Sequence, residues 1–366
     1  MKKAKSSEPL VRISKRTDIS PKLSVGVRVI AIAAAFIVCA LVITAITNGR
    51  AMPWDVYSQM LKGAFGTVRR VKITLRDTCA LLCLGLALAP AFKMRFWNIG
   101  AEGQALIGAL ASTVIIKLCP GLPWWLMLLV MLVASVVAGA LWGVIPAAFK
   151  ATIGANETLF TLMMNYVAYQ LVNVVCIFWE KQKGSSDIGV FDRGTLPKLF
   201  GVDYGISIVV ILLLTAIIYV YMKYSKQGYE ISVVGESENT ARYIGINVKK
   251  VIIRTMMISG GLCGLAGFLL VSGTHHTLNT GIVGGNGFTA IIVAWLAHLN
   301  PIFMLLTSFF VSFLDIGTAQ IATSCQLNTY ASDIVVGIAL FFILGCEFFI
   351  NYKVVFRNSK KAKEAA

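Results

Sequence analysis

The sequence predicts an all-α, polytopic membrane protein with about ten transmembrane helices, some broken or re-entrant, and three observations carry that reading. Of 366 residues, 57% are hydrophobic and only 14% charged, with a mean hydropathy of +0.77, whereas a soluble domain keeps about a quarter of its residues charged. Apolar runs such as Val25 to Thr47, Leu122 to Ala148 and Ile206 to Tyr221 approach or exceed the roughly 20 residues that cross a hydrocarbon core as helix. The net charge is +16, and its basic residues gather at span ends and at both termini, where they set orientation in a bilayer.

Taken in order, the apolar windows place spans near residues 25–47, 74–92, 97–117, 122–148, 158–178, 205–223, 251–273, 287–300, 302–322 and 332–351. The first is about twice the length of a secretory apolar region and lacks a small-x-small cleavage site before Asn48, so it reads as a retained span. Between the first two, Met60, Leu61, Ala64 and Phe65 predict a surface helix. The eighth is short and led by glycine, which suits a re-entrant segment. The layout is then a basic N-terminal segment 1–24, a membrane domain 25–352 and a basic tail 353–366. An even number of spans puts both ends on one side. If that side is the cytoplasm it holds roughly two-thirds of the 33 basic residues, and the remaining third includes Arg50, Lys62, Arg69, Arg70 and Lys72.

The charge does not point to nucleic acid, because the aromatic residues lie inside the apolar runs. The eight cysteines, Cys39, Cys79, Cys83, Cys119, Cys176, Cys263, Cys325 and Cys346, show no CxxC pair and no histidine at metal spacing, so they read as packed thiols and no metal is expected. Two connections stand out. Glu180 to Tyr204 is polar and Gly-rich and falls outside, either as a plain loop or as a meeting point for a solute-delivering partner. Lys226 to Lys250 lies inside and reads as a short helical turn bracketed by Gly228, Gly235 and Gly245.

Chemistry concentrates where the third span begins, at Phe96-Trp97-Asn98-Ile99-Gly100-Ala101-Glu102-Gly103-Gln104. Amides and a carboxylate at a membrane boundary are costly unless they face protein or a watery cavity, and the glycines let the backbone break or approach a neighbour closely. Solute contact and structural fixing both remain open for Glu102. The same holds for Asp315 and Glu347 inside the ninth and tenth spans, and for His275 and His276 after the seventh.

This segment resembles the signature of permease subunits in nucleoside and simple-sugar ABC importers, within the ribose and branched-chain amino-acid permease superfamily, with Trp97 inserted between the usual Phe and Asn. Three further stretches are similar to blocks of that family: Gly154-Ala155-Asn156-Glu157 with Thr161 to Tyr166; Gly228-Tyr229-Glu230 through Gly235-Glu236 and Ala241 to Asn247, leading into Ser259 to Gly267; and Gly287 to Ala294 with Asn300-Pro301, where His298 and Leu299 replace an expected Gly-containing pair. The resemblance spans about residues 60–350 and implies a non-catalytic transport subunit in a bacterial plasma membrane, with both termini cytoplasmic. It implies a coupling loop at 228–247 docking into a separate, double-length ATPase that uses ATP and Mg²⁺, a second permease forming a heterodimer, and an extracytoplasmic substrate-binding lipoprotein. Glu236, Glu238 and Arg242 would be the polar side of that loop, Ala241, Tyr243 and Ile244 its apolar face, and Gly228, Gly235, Gly245 and Ile246 its frame. Asn98, Glu102, Gln104, Asn156, Glu157 and Asn165 are the candidates for the solute pathway, the amides and acids suiting sugar hydroxyls; Asn156 and Glu157, near the cytoplasmic end, could instead form an inner gate.

No Gly-Lys dipeptide occurs, so the chain has no phosphate-cradling loop of the GxxxxGK[ST] type. The rival classes are an intramembrane enzyme, for which neither HExxH nor GxSxG is present, and a channel, in which a coupling loop has no role. Within the transport reading, a ribose- or galactose-type permease is the alternative to a nucleoside permease.

Overall fold

The computed structural model describes residues 11–15, 21–47, 52–185, 188–199, 201–202 and 204–356. In chain order they form β1 (Val11–Lys15), α1 (Pro21–Ile46), α2 (Pro53–Phe65), α3 (Val68–Lys93), α4 (Ala101–Leu118), α5 (Trp124–Ile153), α6 (Glu157–Phe178), α7 (Gly205–Tyr224), α8 (Lys226–Glu236), α9 (Glu238–Tyr243), α10 (Val248–Leu269), a π-turn (Leu270–His275), α11 (Asn286–Leu296), α12 (Pro301–Ser324), α13 (Thr329–Asn351) and β2 (Tyr352–Phe356). Among the described residues nine helices are long and apolar enough to cross a membrane: α1, α3 to α7, α10 with its π-turn, α12 and α13. The remaining window, the eighth, becomes α11, whose 11 residues reach only about 16 Å at 1.5 Å per residue. It cannot span alone, as its length and leading glycine predict.

Local chemistry sets most boundaries. Pro21, Pro53 and Pro301 open α1, α2 and α12, where a missing N–H costs nothing. Asn156, Ser225, Ser237 and Asn247 each accept a backbone N–H from the first turn of α6, α8, α9 and α10. Two expectations change. The stretch 226–250 is two helices in succession rather than a short turn, because Ser225 and Ser237 cap them separately. The third span begins at Ala101, not residue 97, since Trp97 to Gly100 forms a non-helical break.

The chain divides into two compact units. One comprises residues 1–63 and 314–366. In it α1 packs on α13, Tyr57 donates to the Phe36 carbonyl at 3.0 Å, and Ser332 donates to Thr318 Oγ1 at 2.7 Å. β1 and β2 pair antiparallel, Val11 opposite Phe356 and Lys15 opposite Tyr352. This short ladder is an addition to the all-α class and brings the two ends of the described chain together. The flanking residues 1–10, 16–20 and 357–366, in which most of the basic N-terminal segment and tail fall, lie outside the described residues.

The other unit, residues 64–313, centres on α10, which packs against α3, α4 and α5. The small-residue run makes this possible. A Cβ at Gly264 would collide with the Ser135 carbonyl of α5, and one at Gly267 with the Ala105 carbonyl of α4, so these three backbones lie in direct contact. The described cysteines are free thiols, most of them buried.

Candidate functional site

The break at Trp97 to Gly100 follows from the end of α3. Arg95 turns the chain with φ +60°, and Phe96 N–H returns to the Ala91 carbonyl at 3.0 Å. Asn98, wholly buried, then organises the segment. Its Oδ1 accepts from Gly100 N–H at 3.0 Å and from Gln104 Nε2 at 3.2 Å. Its Nδ2 donates to Gln104 Oε1 and to Ser259 Oγ of α10, both at 3.1 Å. Two amides thus pair face to face and tie the break to the central helix.

From the other side, α6 holds the same backbone. Asn165 Oδ1 accepts Gly103 N–H at 2.9 Å, and its Nδ2 donates to the Ile99 carbonyl at 2.9 Å. One turn earlier, Thr161 Oγ1 accepts Ile99 N–H at 3.2 Å. Asn98, Gln104 and Asn165 are therefore brought together as backbone clamps, with Thr161 and Ser259 as members that sequence reasoning did not single out. The signal was present: Thr161 and Asn165 stand four apart, on one helical face.

Glu102, 1% exposed, does a separate job. Its Oε1 accepts Gly285 N–H at 2.9 Å and the Tyr169 hydroxyl at 3.1 Å, and its Oε2 accepts Gly287 N–H at 2.7 Å. These two amides open α11, so the carboxylate satisfies the orphan donors and the positive dipole end of a half-helix inside the bundle. The far end of α11 returns to the same segment, where Trp295 stacks on Trp97 with centroids 5.4 Å apart and planes at 19°. The signature thus grips α11 at its head through Glu102 and at its tail through Trp97, which gives the inserted tryptophan a physical role.

Asn156 and Glu157 stand apart from this cluster. Asn156 caps α6 through Leu159 N–H at 3.1 Å, and Glu157 pairs with Lys150 at 2.8 Å across the turn from α5. Both charged groups line a cavity of about 180 Å³ together with Arg95, Phe96, Glu236 and Glu238. The turn at Met94 to Phe96 that leads into the break and the α8–α9 segment therefore share one polar recess.

The α8–α9 segment is seated firmly. Gly235 lies against the Lys93 carbonyl and Gly228 against the carbonyls of Tyr221 and Met222, while Glu230 pairs with Arg254 of α10 at 2.9 Å. Ala241 corrects the expected apolar face: it is fully buried, in a cluster with Met94, Phe96, Ile231, Val234, Val248 and Met256. Its side chain points inward because α9 has only six residues and needs one apolar anchor on the bundle. What α9 presents outward is Tyr243, 92% exposed, and Ile244, 56% exposed, flanked by the exposed pair Glu238–Arg242 at 3.5 Å. Gly245 leaves the helix with φ +81°, a conformation that a side chain would strain, and Ile246 N–H closes onto the Ala241 carbonyl at 2.9 Å.

The remaining candidates are dispersed. His275 ends the π-turn and His276 follows it at φ +52°. Asp315 is exposed on α12, and Glu347 falls within α13 with its side chain outside the described residues. Among the described residues no group of three or more His, Cys, Asp or Glu is placed to hold a metal ion.

Among the described residues, nine helices long and apolar enough to span, a half-helix held by the signature segment and the short pair α8–α9 make this a multi-pass membrane protein. The chain belongs to the family described as branched-chain amino acid transport system / permease component, whose pattern matches residues 72–344. It is 31% identical to the guanosine ABC transporter permease protein NupP of Bacillus subtilis over 85% of this chain and 89% of that one. It is 26% identical to the glucose ABC transporter permease protein TsgB13 of Haloferax volcanii over 97% and 96% of the two chains. It is also 26% identical to the nucleoside ABC transporter permease protein NupB of Lactococcus lactis over 84% and 88%.

Proposed function

We propose that this chain is the membrane-spanning subunit of an ATP-driven importer that moves nucleosides by alternating access and makes no covalent change to its cargo. One observation carries the mechanism: the buried cluster that seats α8 and α9 includes Phe96, which leads directly into the signature break, and Val248, Val251, Ile252 and Met256 of α10. A force on α9 therefore has a packed path to the segment that grips α11. Alternating access then consists of α11 and the signature moving as one piece when a motor engages Tyr243 and Ile244. Asn98, Glu102, Gln104 and Asn165 act in the pathway by fixing its backbone, and Asn156 and Glu157 with Lys150 form a gate beside α8–α9.

The motor in this reading is a separate, double-length ATPase that holds the ATP and Mg²⁺; a second permease chain completes the pathway, and an extracytoplasmic substrate-binding lipoprotein delivers solute. The nucleoside class is supported by the identity to NupP and NupB. A simple sugar is the second reading, favoured by TsgB13, whose alignment spans nearly all of both chains. Competition separates them: the nucleoside reading expects uptake of labelled guanosine to be inhibited by other nucleosides and unaffected by glucose.

The orientation proposed is a bacterial plasma membrane with both termini and α8–α9 in the cytoplasm. The β1–β2 pairing supports ends on one side, and the basic bias chooses which. In a cysteine-free background, a membrane-impermeant maleimide should modify Ser185→Cys in intact cells and spare Asn239→Cys until the cells are opened. The opposite pattern would invert the topology.

A further inference from the structure

Two departures from the family pattern meet at one place. Trp97 stands where that pattern passes directly from Phe to Asn, and His298 with Leu299 stand where it has a Gly-containing pair. Far apart in sequence, they close on the tail of α11. Trp97 stacks on Trp295 with centroids 5.4 Å apart, His298 N–H donates to the Trp295 carbonyl at 2.9 Å, and Leu299 N–H donates to the Ala294 carbonyl at 2.9 Å.

The second departure is kept against its backbone. His298 and Leu299 hold φ +50° and +58°, a left-handed conformation that glycine takes freely and a bulky side chain does not. Arg95, two residues before Trp97, is left-handed as well, with φ +60°. Strained positions of this kind gather at ligand clamps and active sites.

The tryptophan pair is built as a surface. Phe92, 5% exposed, backs both indoles, its ring 5.9 Å from Trp97 and 6.2 Å from Trp295, while Trp97 and Trp295 each remain 43% exposed. The chain that carries Trp97 is fixed from α6, where Thr161 accepts Ile99 N–H at 3.2 Å and Asn165 donates to the Ile99 carbonyl at 2.9 Å. The rings are therefore ordered before anything reaches them, and little is lost on contact. What stays open is a rigid aromatic face on the break and the half-helix, with the exposed His298 at its border. Such a face takes purine and pyrimidine bases by stacking, and an imidazole can donate to or accept from a base edge.

Resting on the nucleoside reading above, we propose that Trp97 and Trp295 form the surface on which the base of the solute stacks as it crosses, with His298 beside them for the base edge. The two indoles thereby select a base-bearing solute within the permease itself.

The test uses the complete importer in proteoliposomes, with its ATPase, second permease and external binding protein. 8-Azidoguanosine is photolysed during ATP-driven uptake, and the labelled residues are mapped by mass spectrometry. Label is expected on Trp97, Trp295 or His298, removed by excess guanosine and retained in excess glucose. Trp97→Phe keeps an aromatic face and should keep its label. Trp97→Leu and Trp295→Leu keep apolar bulk without the face and should lose about tenfold or more of the labelling, with guanosine uptake following the same order. If the leucine variants fail to assemble, the wild-type map decides alone. Label that falls elsewhere while guanosine uptake proceeds would overturn the proposal and leave the importer reading standing. So would leucine variants that label and transport like wild type, or label that glucose displaces as well as guanosine does. A photoactivatable phospholipid that labels both tryptophans and is not displaced by guanosine would also overturn it, since the pair would then be an anchor at the membrane interface. A wild-type importer that takes up no nucleoside would instead count against the nucleoside reading, and this proposal with it.

Discussion

Tyr243→Ser combined with Ile244→Ser is expected to leave a folded, membrane-inserted chain that no longer retains an ATPase subunit and no longer supports uptake. These are the two large side chains that α9 exposes, at 92% and 56%, and nothing in the bundle depends on them. Apolar and aromatic anchors of a helix in a groove each contribute about 2 kcal/mol or more. Losing both therefore weakens docking by about 4 kcal/mol, or roughly a thousandfold. Co-purification of the ATPase, with uptake measured in parallel, reads the effect. Ala241→Arg should behave differently: its site is fully buried, so the charge unseats α9 itself and lowers the thermal stability of the permease. An undiminished complex with the double serine variant would show that α9 is a solvated connection.

Glu102→Ala should be the most damaging single change inside the membrane. It leaves the Gly285 and Gly287 amides and the Tyr169 hydroxyl without their acceptor, each buried loss costing about 1–3 kcal/mol. The head of α11 is released while its tail still stacks on Trp97. Uptake should fall by about a hundredfold or more, with a clear drop in melting temperature in detergent, if two of those losses are felt in full. Glu102→Gln keeps one carbonyl acceptor and should fall between. Tyr169→Phe, which leaves both α11 amides capped, should cost least. Wild-type transport and melting in Glu102→Ala would separate the carboxylate from the pathway altogether.

Much of the architecture was readable from apolar length alone, because a hydrocarbon core demands a fixed number of helical residues. Every predicted window corresponds to a helix, and the short, Gly-led eighth became the half-helix α11. Legibility stopped where side-chain partners lie far apart in sequence. Glu102 is marked as expensive by its surroundings, but nothing local says that its acceptors will be taken by Gly285 and Gly287, some 180 residues on. Ala241 was misassigned to the outer face because six residues carry too few turns for a periodic stripe. The π-turn is likewise invisible beforehand: the run Leu270 to His275 has no composition that distinguishes it from an α-helical end, and only the bond from His276 N–H back to the Val271 carbonyl reveals it.

In the proposed mechanism this chain carries solute while another polypeptide supplies the energy. Its most direct test is uptake of radiolabelled guanosine into proteoliposomes holding the permease pair with external binding protein present, with and without the ATPase subunit and internal ATP. Concentrative uptake is expected only when ATPase and ATP are both present, with no nucleotide turnover by the purified chain alone. Uptake or ATP hydrolysis that persists after every other polypeptide is removed would contradict it.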